Sequence, residues 1–531
     1  MREIDHLTTE RCGLSSQALM EAASAACFEA VRKHFERRLA GRQALVLCGK
    51  GNNGGDGAKL TRLLAKQGVE CTLVLFGRVE DTRGDARTSF EAARLSIGQA
   101  VFTFVECNDS ATWQQLAGAG VKYDLIVDAL FGTGLTRPLD GIYQEVIDYL
   151  RLVRETSNPF ILSVDIPSGL NADMTEPIGP AVKADMTVTF TAPKAANVLP
   201  PACDFGGELT VADIGSPRSL IDEIAPSSLF LTEADDVKRW LVSTRYVPGS
   251  YKNTHGHVLI AAGSRGYSGA AVLCGDAAMR SGAGLVTIAT PASAQSSVAG
   301  AAMPEVITTA LAETDRGAVS DDAVDHFLKL AQKATVAAIG PGLTSDDDRT
   351  RRFVRSIVER RSTPCVIDAD GLNCLAPWPR ELGAASKHPL ILTPHPGEMR
   401  RLLGGTGEIK DRVATASEFA RTNQVILVLK GSRSIVAAPD GRVFVNPTGN
   451  PGLGTAGSGD TLTGLTAGFL AQAFGTLKEN ADALDAVIAA LYVGGLAGDF
   501  AASRIGMRTM VASDIRDHFS YAIRFLNAPG E

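Results

Sequence analysis

A chain of 531 residues exceeds one ordinary domain, and 45% hydrophobic, 21% charged and 6% aromatic residues mark a globular protein with two or three cores. Its net charge of −7 excludes a general nucleic-acid or anionic-membrane binder, though not a local phosphate pocket. Nine cysteines without a C-x-x-C pair, several in apolar runs such as 44–48, are expected to be reduced core thiols, with no zinc site. The start, Met1-Arg2-Glu3-Ile4-Asp5-His6, has no signal-like apolar stretch, and no uninterrupted apolar run is long enough to span a bilayer. A cytoplasmic location is expected.

From the amino end, residues 2–10 read as a packed or solvated arm and 15–39 as a long amphipathic helix. Strands are predicted at 44–48, 71–76, 101–105, 124–129 and 160–164, with helices near 57–67, 85–94, 112–117 and 143–154, then strands at 186–191 and 208–212. This alternation predicts a mostly parallel sheet covered on both faces. Gly215-Ser216-Pro217 and Ala225-Pro226-Ser227-Ser228 mark a linker, after which Thr232-Glu233-Ala234-Asp235 opens a short capped helix. Strands resume at 257–262, 285–290, 336–339, 365–368, 390–393 and 425–429, followed by a hairpin-like pair at 434–438 and 443–446. Two α/β domains are predicted, residues 1–226 and 227–531. The mixed-charge run 346–352 reads as an exposed helix face, and Trp113, Trp240 and Trp378 as packing residues.

In the first half, Gly49-Lys50-Gly51-Asn52-Asn53-Gly54-Gly55-Asp56-Gly57 follows a strand and runs into a helix. It contains G-x-G-x-x-G, which would suit a dinucleotide pyrophosphate, but the acid expected after the second strand is replaced by Phe76-Gly77-Arg78. Asn52, Asn53 and Asp56 equally serve Asx turns. Strand 124–129 ends in Asp128 and leads into Phe131-Gly132-Thr133-Gly134-Leu135-Thr136-Arg137-Pro138, and strand 160–164 leads into Asp165-Ile166-Pro167-Ser168-Gly169-Leu170. In a parallel sheet the three loops share the carboxyl edge, where α/β ligands bind. Asn53, Asp128 and Ser168 could converge there as oxygen ligands for an alkali or other hard cation.

Together, N-N-G-G-D-G, D-A-L-F-G-T-G-L-x-R, V-D-I-P-S-G and the A-D-x-T-V-T-F of 184–190 with Lys194 resemble the NAD(P)H-hydrate epimerase family over the whole first half. The resemblance implies a Rossmann-like, doubly wound domain that interconverts the R and S epimers of hydrated NADH and NADPH (NADHX and NADPHX). It implies a potassium ion (K+) held by Asn53, Asp128 and Ser168. Asn52, Asn53, Gly54, Gly55, Asp56, Gly132, Thr133, Gly134, Leu135, Thr136, Arg137, Pro138 and Asp165 would surround the substrate. Opening and reclosing the hydrated carbon calls for an acid–base group, worth roughly 10²–10⁴-fold in rate, and Asp165 is the expected one.

In the second half, Asn450-Pro451-Gly452-Leu453-Gly454-Thr455-Ala456-Gly457-Ser458-Gly459-Asp460 runs into the helical pattern Thr461-Leu462-Thr463-Gly464. Helix-start N–H groups attract anions, and glycines admit a phosphate closely. A carboxylate there is repelled by phosphate, so Asp460 reads as a base that activates a hydroxyl beside it. Gly263-Ser264-Arg265-Gly266-Tyr267-Ser268-Gly269-Ala270, Ile339-Gly340-Pro341-Gly342-Leu343 and Asp368-Ala369-Asp370-Gly371-Leu372-Asn373 follow other strands, as do Thr393-Pro394-His395-Pro396-Gly397-Glu398-Met399 and Lys430-Gly431-Ser432-Arg433-Ser434. Alone, His395 would be a loop residue and Lys430 a solvated one. Together these loops offer what nucleotide and hydroxyl chemistry needs.

From about Thr232 onward the chain resembles the ribokinase-like superfamily. T-P-H-P-G-E-M, V-L-K-G-x-x-S and N-P-G-L-G-T-A-G-S-G-D point to its ADP- or ATP-dependent NAD(P)H-hydrate dehydratase branch. The resemblance implies an α/β/α sandwich that dehydrates (S)-NAD(P)HX at the expense of ADP, giving AMP and phosphate. Asp460 would act as base, with the N–H groups of Gly457, Ser458 and Gly459 as an anion hole. Ala270, Gly342, His395 and Asp460 would line the hydrate site. Lys430, Gly431, Ser432, Arg433, Ser434 and Gly459 would hold the nucleotide, with Mg2+ bridging its phosphates. Tyr251-Lys252-Asn253-Thr254-His255-Gly256-His257 departs from the family's H-K-G-x-x-G-H. Related proteins form homo-oligomers, which is the expectation here. Two alternatives stand beside this reading: a vitamin or sugar kinase fused to a regulatory nucleotide domain, and a first half that only binds dinucleotides as a scaffold.

Overall fold

A computed structural model of the protein describes residues 2–96, 102–224, 228–384 and 386–527; residue 101 of the third predicted strand and residues 225–227 of the predicted linker lie outside them. The chain divides into two compact units, Met1–Ser227 and Ser228–Glu531.

The first unit holds strands β1 (Gln43–Cys48), β2 (Glu70–Leu75), β3 (Phe102–Glu106), β4 (Leu125–Ala129), β5 (Phe160–Val164), β6 (Met186–Phe190) and β7 (Glu208–Ala212). They form one sheet in the order β3-β2-β1-β4-β5-β6-β7, every pair parallel. In β1, Ala44, Val46 and Cys48 enter one core while Leu45 and Leu47 enter another, so the strand is buried on both faces. Strand order reverses between β1 and β4, opening the crevice where doubly wound sheets bind ligands. A side chain at Gly49 would meet the Leu130 carbonyl oxygen at 2.0 Å, so only glycine lets the loops after β1 and β4 come this close.

Two helices differ from expectation. The one predicted from residue 57 spans Asn52–Ala65, five residues longer at its start. Glycine disfavours helix locally, but here it admits packing: a Cβ at Gly57 would lie 2.7 Å from both Ala129 Cβ and Cys48 Sγ. Residues 2–10 belong to a helix, Arg2–Cys12, that buries Ile4, Leu7 and Thr8.

The second unit holds β8 (Leu229–Leu231), β9 (His257–Ala261), β10 (Leu285–Pro291), β11 (Ile307–Leu311), β12 (Val336–Ile339), β13 (Cys365–Ile367), β14 (Leu390–Leu392), β15 (Ile426–Leu429), β16 (Ile435–Ala437) and β17 (Val443–Val445). Their order is β11-β10-β9-β12-β13-β14-β15-β16-β17-β8, antiparallel only at β15–β16 and β16–β17. The edge strands β8 and β11 carry no strong sequence pattern and were not predicted. A second reversal, between β9 and β12, joins the loops after those strands: Gly263 N–H donates to the Pro341 carbonyl at 2.8 Å.

The core helix Ala483–Ile505 is, by length and composition, long and apolar enough to cross a bilayer, although Asp485 and Asp499 interrupt its apolar run; 67% of its apolar window is buried inside the protein. All nine cysteines are free and only Cys12 is exposed. Trp113, Trp240 and Trp378 are buried packing residues. In the run 346–352, Arg349 and Arg352 reach Asp321, each at 2.7 Å.

The segment that departs from the family pattern precedes β9, at the amino end of that strand and away from the ligand edge. Thr254 accepts from Thr476 Oγ1 at 3.2 Å, and a side chain at Gly256 would meet the Ala471 carbonyl oxygen at 2.2 Å. Its substitutions therefore bear on packing against the carboxyl end of the helix Ser458–Thr476.

Candidate active sites

In the first unit, β5 ends at Val164 and the chain turns sharply, with Asp165 at φ 69°. The turn aims its carboxylate at Lys194, whose Nζ donates to Oδ1 at 2.6 Å; Thr189 Oγ1 shares that oxygen at 3.1 Å. Both ends of the ion pair are nearly buried, at 13% and 7% side-chain exposure. The other oxygen, Oδ2, faces Gly132: a Cβ there would lie 3.0 Å from it and 3.3 Å from Asn53 Oδ1. Asn53, Gly132 and Asp165 thus meet at one point, where a larger residue would press on both side chains.

Asp128, at the end of β4, is fully buried. It accepts from Ser168 Oγ at 2.6 Å, Ser168 N–H at 2.8 Å, Ser163 Oγ at 2.8 Å and Leu130 N–H at 3.4 Å. Burial raises its pKa while these hydrogen bonds oppose the rise. No cationic side chain pairs with Asp128 among the described residues. Ser168 Oγ also accepts from Phe131 N–H at 2.9 Å, which ties this cluster to the Gly132 point.

The 52–56 stretch forms the opening of a helix rather than a loop. Gly54 and Gly55 are buried packing positions, whereas Asn52 is exposed. Asp56 is buried, and burial, then the Asp165 charge, pushes its carboxyl well up. In the 132–138 loop Leu135 enters the core, while Gly134, Thr136, Arg137 and Pro138 are exposed and Thr133 half-buried. Asp5, on the helix Arg2–Cys12, was missed by the sequence reading. Burial raises its pKa, with the Lys194 charge opposing the rise and the Asp165 charge adding to it. No local pattern marks an acid that acts across such a sequence distance.

In the second unit the helix Ser458–Thr476 begins on Gly457, at φ 84°, with no side-chain cap. Ser458 N–H makes only a long 3.4 Å bond to the Thr455 carbonyl. This helix mouth therefore presents N–H groups in need of an anion. Beside it, Lys430 Nζ donates to Asp368 Oδ1 at 2.7 Å and lies 4.0 Å from Glu398. Thr463 Oγ1 donates to the second Asp368 oxygen at 2.6 Å. A Cβ at Gly459 would meet Lys430 Nζ at 3.4 Å, so the lysine sits against the helix mouth. Burial lowers the Lys430 pKa, but Asp368 and Glu398 outweigh it and hold the ammonium charged. Asp460, half-buried, is pushed up to about 7 by burial and then by Asp368, with Lys430 opposing.

His395 caps the short helix Pro396–Leu402: its Nδ1 accepts from the N–H groups of Gly397 at 2.9 Å and Glu398 at 3.3 Å. That leaves Nε2 as the proton-bearing nitrogen of a neutral ring, 3.4 Å from Glu398 Oε1. Gly342 packs on Ala270, whose Cβ lies 3.0 Å from where a side chain at Gly342 would begin. In the 430–434 loop, Ser434 Oγ donates to the Gly431 carbonyl at 3.1 Å and Arg433 is spent on the Pro447 carbonyl. Arg412 holds the loop, donating to the Ser432 carbonyl at 2.7 Å. Asp368, Thr463, Glu398 and Arg412 are additions to the predicted set. Asp368, Glu398 and Thr463 lay inside quoted segments without being assigned a role there; Arg412 left no signal.

Two family models match the chain: one described as YjeF-related protein N-terminus over residues 16–196, the other as NAD(P)H-hydrate dehydratase over residues 258–520. The bifunctional NAD(P)H-hydrate repair enzyme Nnr of Moorella thermoacetica is 42% identical, across 99% of this chain and 96% of its own. The enzyme of the same name from Thermofilum pendens is 35% identical, across 98% and 95%. The crystal structure of an ADP/ATP-dependent NAD(P)H-hydrate dehydratase from Bacillus subtilis is 30% identical, covering 56% of this chain and 98% of its own, with a TM-score of 0.47. Matched along essentially its whole length by the Moorella and Thermofilum enzymes, the chain belongs to the bifunctional NAD(P)H-hydrate repair enzyme family.

Proposed function

We propose that the protein repairs hydrated nicotinamide dinucleotides in two steps. Residues 1–226 interconvert the R and S epimers of NADHX and NADPHX, and residues 227–531 dehydrate the S epimer, using ADP and releasing AMP and phosphate. The observation that carries the second step is Asp460, a half-buried acid pushed up to about 7 at an uncapped, glycine-built helix mouth beside Lys430. A base with that pKa can take a hydroxyl proton near neutral pH. The hydroxyl oxygen then attacks the terminal phosphorus of ADP, and AMP leaves. The N–H groups of Gly457, Ser458 and Gly459 face the developing charge, a contribution typically worth about 10²–10³-fold per donor. The ring nitrogen expels the phosphate, and loss of a proton from the neighbouring ring carbon restores the dihydropyridine.

Glu398, and Asp368 through the lone pairs left by Lys430 and Thr463, would be the carboxylates to hold Mg2+ at this site, in keeping with an ion that takes one or two carboxylates plus substrate phosphates. When bound, it would neutralise phosphate charge. In the first unit Asn53, Asp128 and Ser168 would hold K+. An amide, a carboxylate and a hydroxyl are the hard donors such an ion takes, and a cation would balance the buried Asp128, which lacks a cationic partner among the described residues. When bound, it would supply a fixed positive charge in the crevice. Asp165, held by Lys194, exchanges the proton that lets the hydrated carbon open and reclose. The eight buried free thiols support a reducing, cytoplasmic setting.

The test is incubation of mixed R and S NADHX with ADP and Mg2+, following NADH absorbance and AMP. Regenerated NADH with stoichiometric AMP is expected. A stable phosphorylated product without NADH would instead make the second unit a kinase.

A further inference from the structure

Beside the second site lies an open cleft of about 630 Å³, lined by Arg351, Arg401, Asn373, Ser345 and Thr406 together with small apolar residues of the 376–377 and 404–405 turns. No acidic residue lines it. Arg401 Nε donates to Asn373 Oδ1 at 2.8 Å, and Arg351 Nε donates to the Ser345 carbonyl at 2.8 Å. Each guanidinium is fixed through one nitrogen. Neither has a carboxylate within 4 Å among the described residues. Two oriented guanidinium groups that make no ion pair among the described residues, in a cleft with amide and hydroxyl donors, match the chemistry of a phosphate ester.

The cleft is built from the elements that carry the hydrate site. Arg401 stands on the helix Pro396–Leu402, which His395 caps. Asn373 Nδ2 donates to Asp370 Oδ1 at 3.3 Å, and Asp370 Oδ2 accepts from Thr344 N–H at 3.0 Å, two residues from Gly342. A dinucleotide whose nicotinamide ring reacts at Asp460 must send its phosphates and second nucleoside out of that pocket. The cleft is within the size range that accommodates such a fragment.

Resting on the dehydratase reading above, we propose that this cleft is a phosphate subsite in which Arg351 and Arg401 bind the phosphate-bearing distal half of the dinucleotide hydrate. It anchors the substrate rather than the ADP.

The test compares NADHX with the hydrate of reduced nicotinamide mononucleotide, which lacks the distal nucleotide, in the full-length enzyme and in R351Q/R401Q. Losing two charge-assisted contacts should raise KM for NADHX by about tenfold or more with little change in kcat. KM for the mononucleotide hydrate and for ADP should stay within about twofold, since each factor of ten needs 1.4 kcal/mol. Thr406→Glu, on the exposed rim, places a negative charge in the cleft without removing an arginine and should reproduce the pattern. Equal losses on both hydrates, a raised KM for ADP, or an unchanged KM for NADHX in both variants would overturn the proposal. If the wild-type enzyme regenerates neither reduced nucleotide, the dehydratase reading itself falls. A greater loss with NADPHX than with NADHX would support the subsite and set its extra phosphate against the arginines.

Discussion

Asp165 and Asp460 are both acids at the carboxyl edge of a parallel sheet, yet their surroundings differ in kind. Asp165 is locked to Lys194 at 2.6 Å with Thr189 on the same oxygen, whereas Asp460 has no side-chain hydrogen bond among the described residues. Burial and the neighbouring Asp368 push Asp460 up to about 7. As a base it must be ionised, so kcat/KM for dehydration should fall about tenfold per pH unit below 7 and level off above it. Asp460→Asn should lose about 10²–10⁴-fold and the acid limb with it. The linkage sign gives an independent check. The folded pKa lies above the unfolded value of about 3.9, so the folded state binds the extra proton. Its stabilising effect is complete below pH 4 and is lost as pH rises through 7. Asp460→Asn removes that loss and should melt higher than wild type at pH 8, with the gap closing toward pH 5. A rate profile that stays flat to pH 5.5 would rule Asp460 out as the base.

The helix Ala483–Ile505 shows how an element far from the chemistry can set the geometry of the 450–460 loop. Asp499 accepts from Gly449 N–H at 2.9 Å and from Asn450 Nδ2 at 2.8 Å. The amide so oriented turns Asn450 Oδ1 toward Gly452 N–H at 3.0 Å. The same helix face is cut back to glycine where the loop rests: a Cβ at Gly495 would meet Thr448 Oγ1 at 2.3 Å, and one at Gly498 would meet Leu453 Cδ2 at 2.5 Å. Gly495→Ala therefore forces backbone apart. It should cost about 1–3 kcal/mol, read as a lower Tm, and should slow dehydration while leaving epimerisation intact. An alanine variant with both unchanged would show that the loop is placed by other contacts. None of this was legible in the sequence, because Asp499 meets Asn450 only through the fold. The alternation of β-branched runs did reveal most strands, since strands buried on both faces must be apolar throughout. It missed β8 and β11, short or half-exposed edge strands whose pattern no second layer enforces. The glycine motifs do fall after the carboxyl ends of strands in both sheets, but in residues 54–57 the glycines serve helix-on-sheet packing, so the motif marks the crevice for a reason other than phosphate contact.

For the whole molecule, two compact units, each with its own proposed acid–base residue, make a sharp demand on how repair proceeds. Hydrated dinucleotide forms as two epimers, and a site whose base stands on one side of the ring can process only one. A single chain that carries both activities converts a mixed substrate completely, provided the first unit keeps supplying the reactive epimer. Lys194 and Asp165 should be needed only for that supply, and Asp460 only for its consumption. With mixed NADHX, ADP and Mg2+, Asp165→Asn should regenerate NADH rapidly from the S fraction and then slow to the spontaneous rate of epimer exchange. Asp460→Asn should form NADH only at its residual rate while still equilibrating the two epimers, measured by chromatography. An equimolar mixture of the two variants should restore full conversion, because the intermediate is a free small molecule. Replacing K+ with tetramethylammonium should mimic Asp165→Asn and leave the S-specific phase untouched, since Asn53, Asp128 and Ser168 belong to the first unit alone. If K+ removal instead slowed the initial burst, the cation would act in the second unit and its assignment to the Asp128 cluster would be wrong. If the two variants failed to complement, epimerisation and dehydration would have to be coupled within one chain.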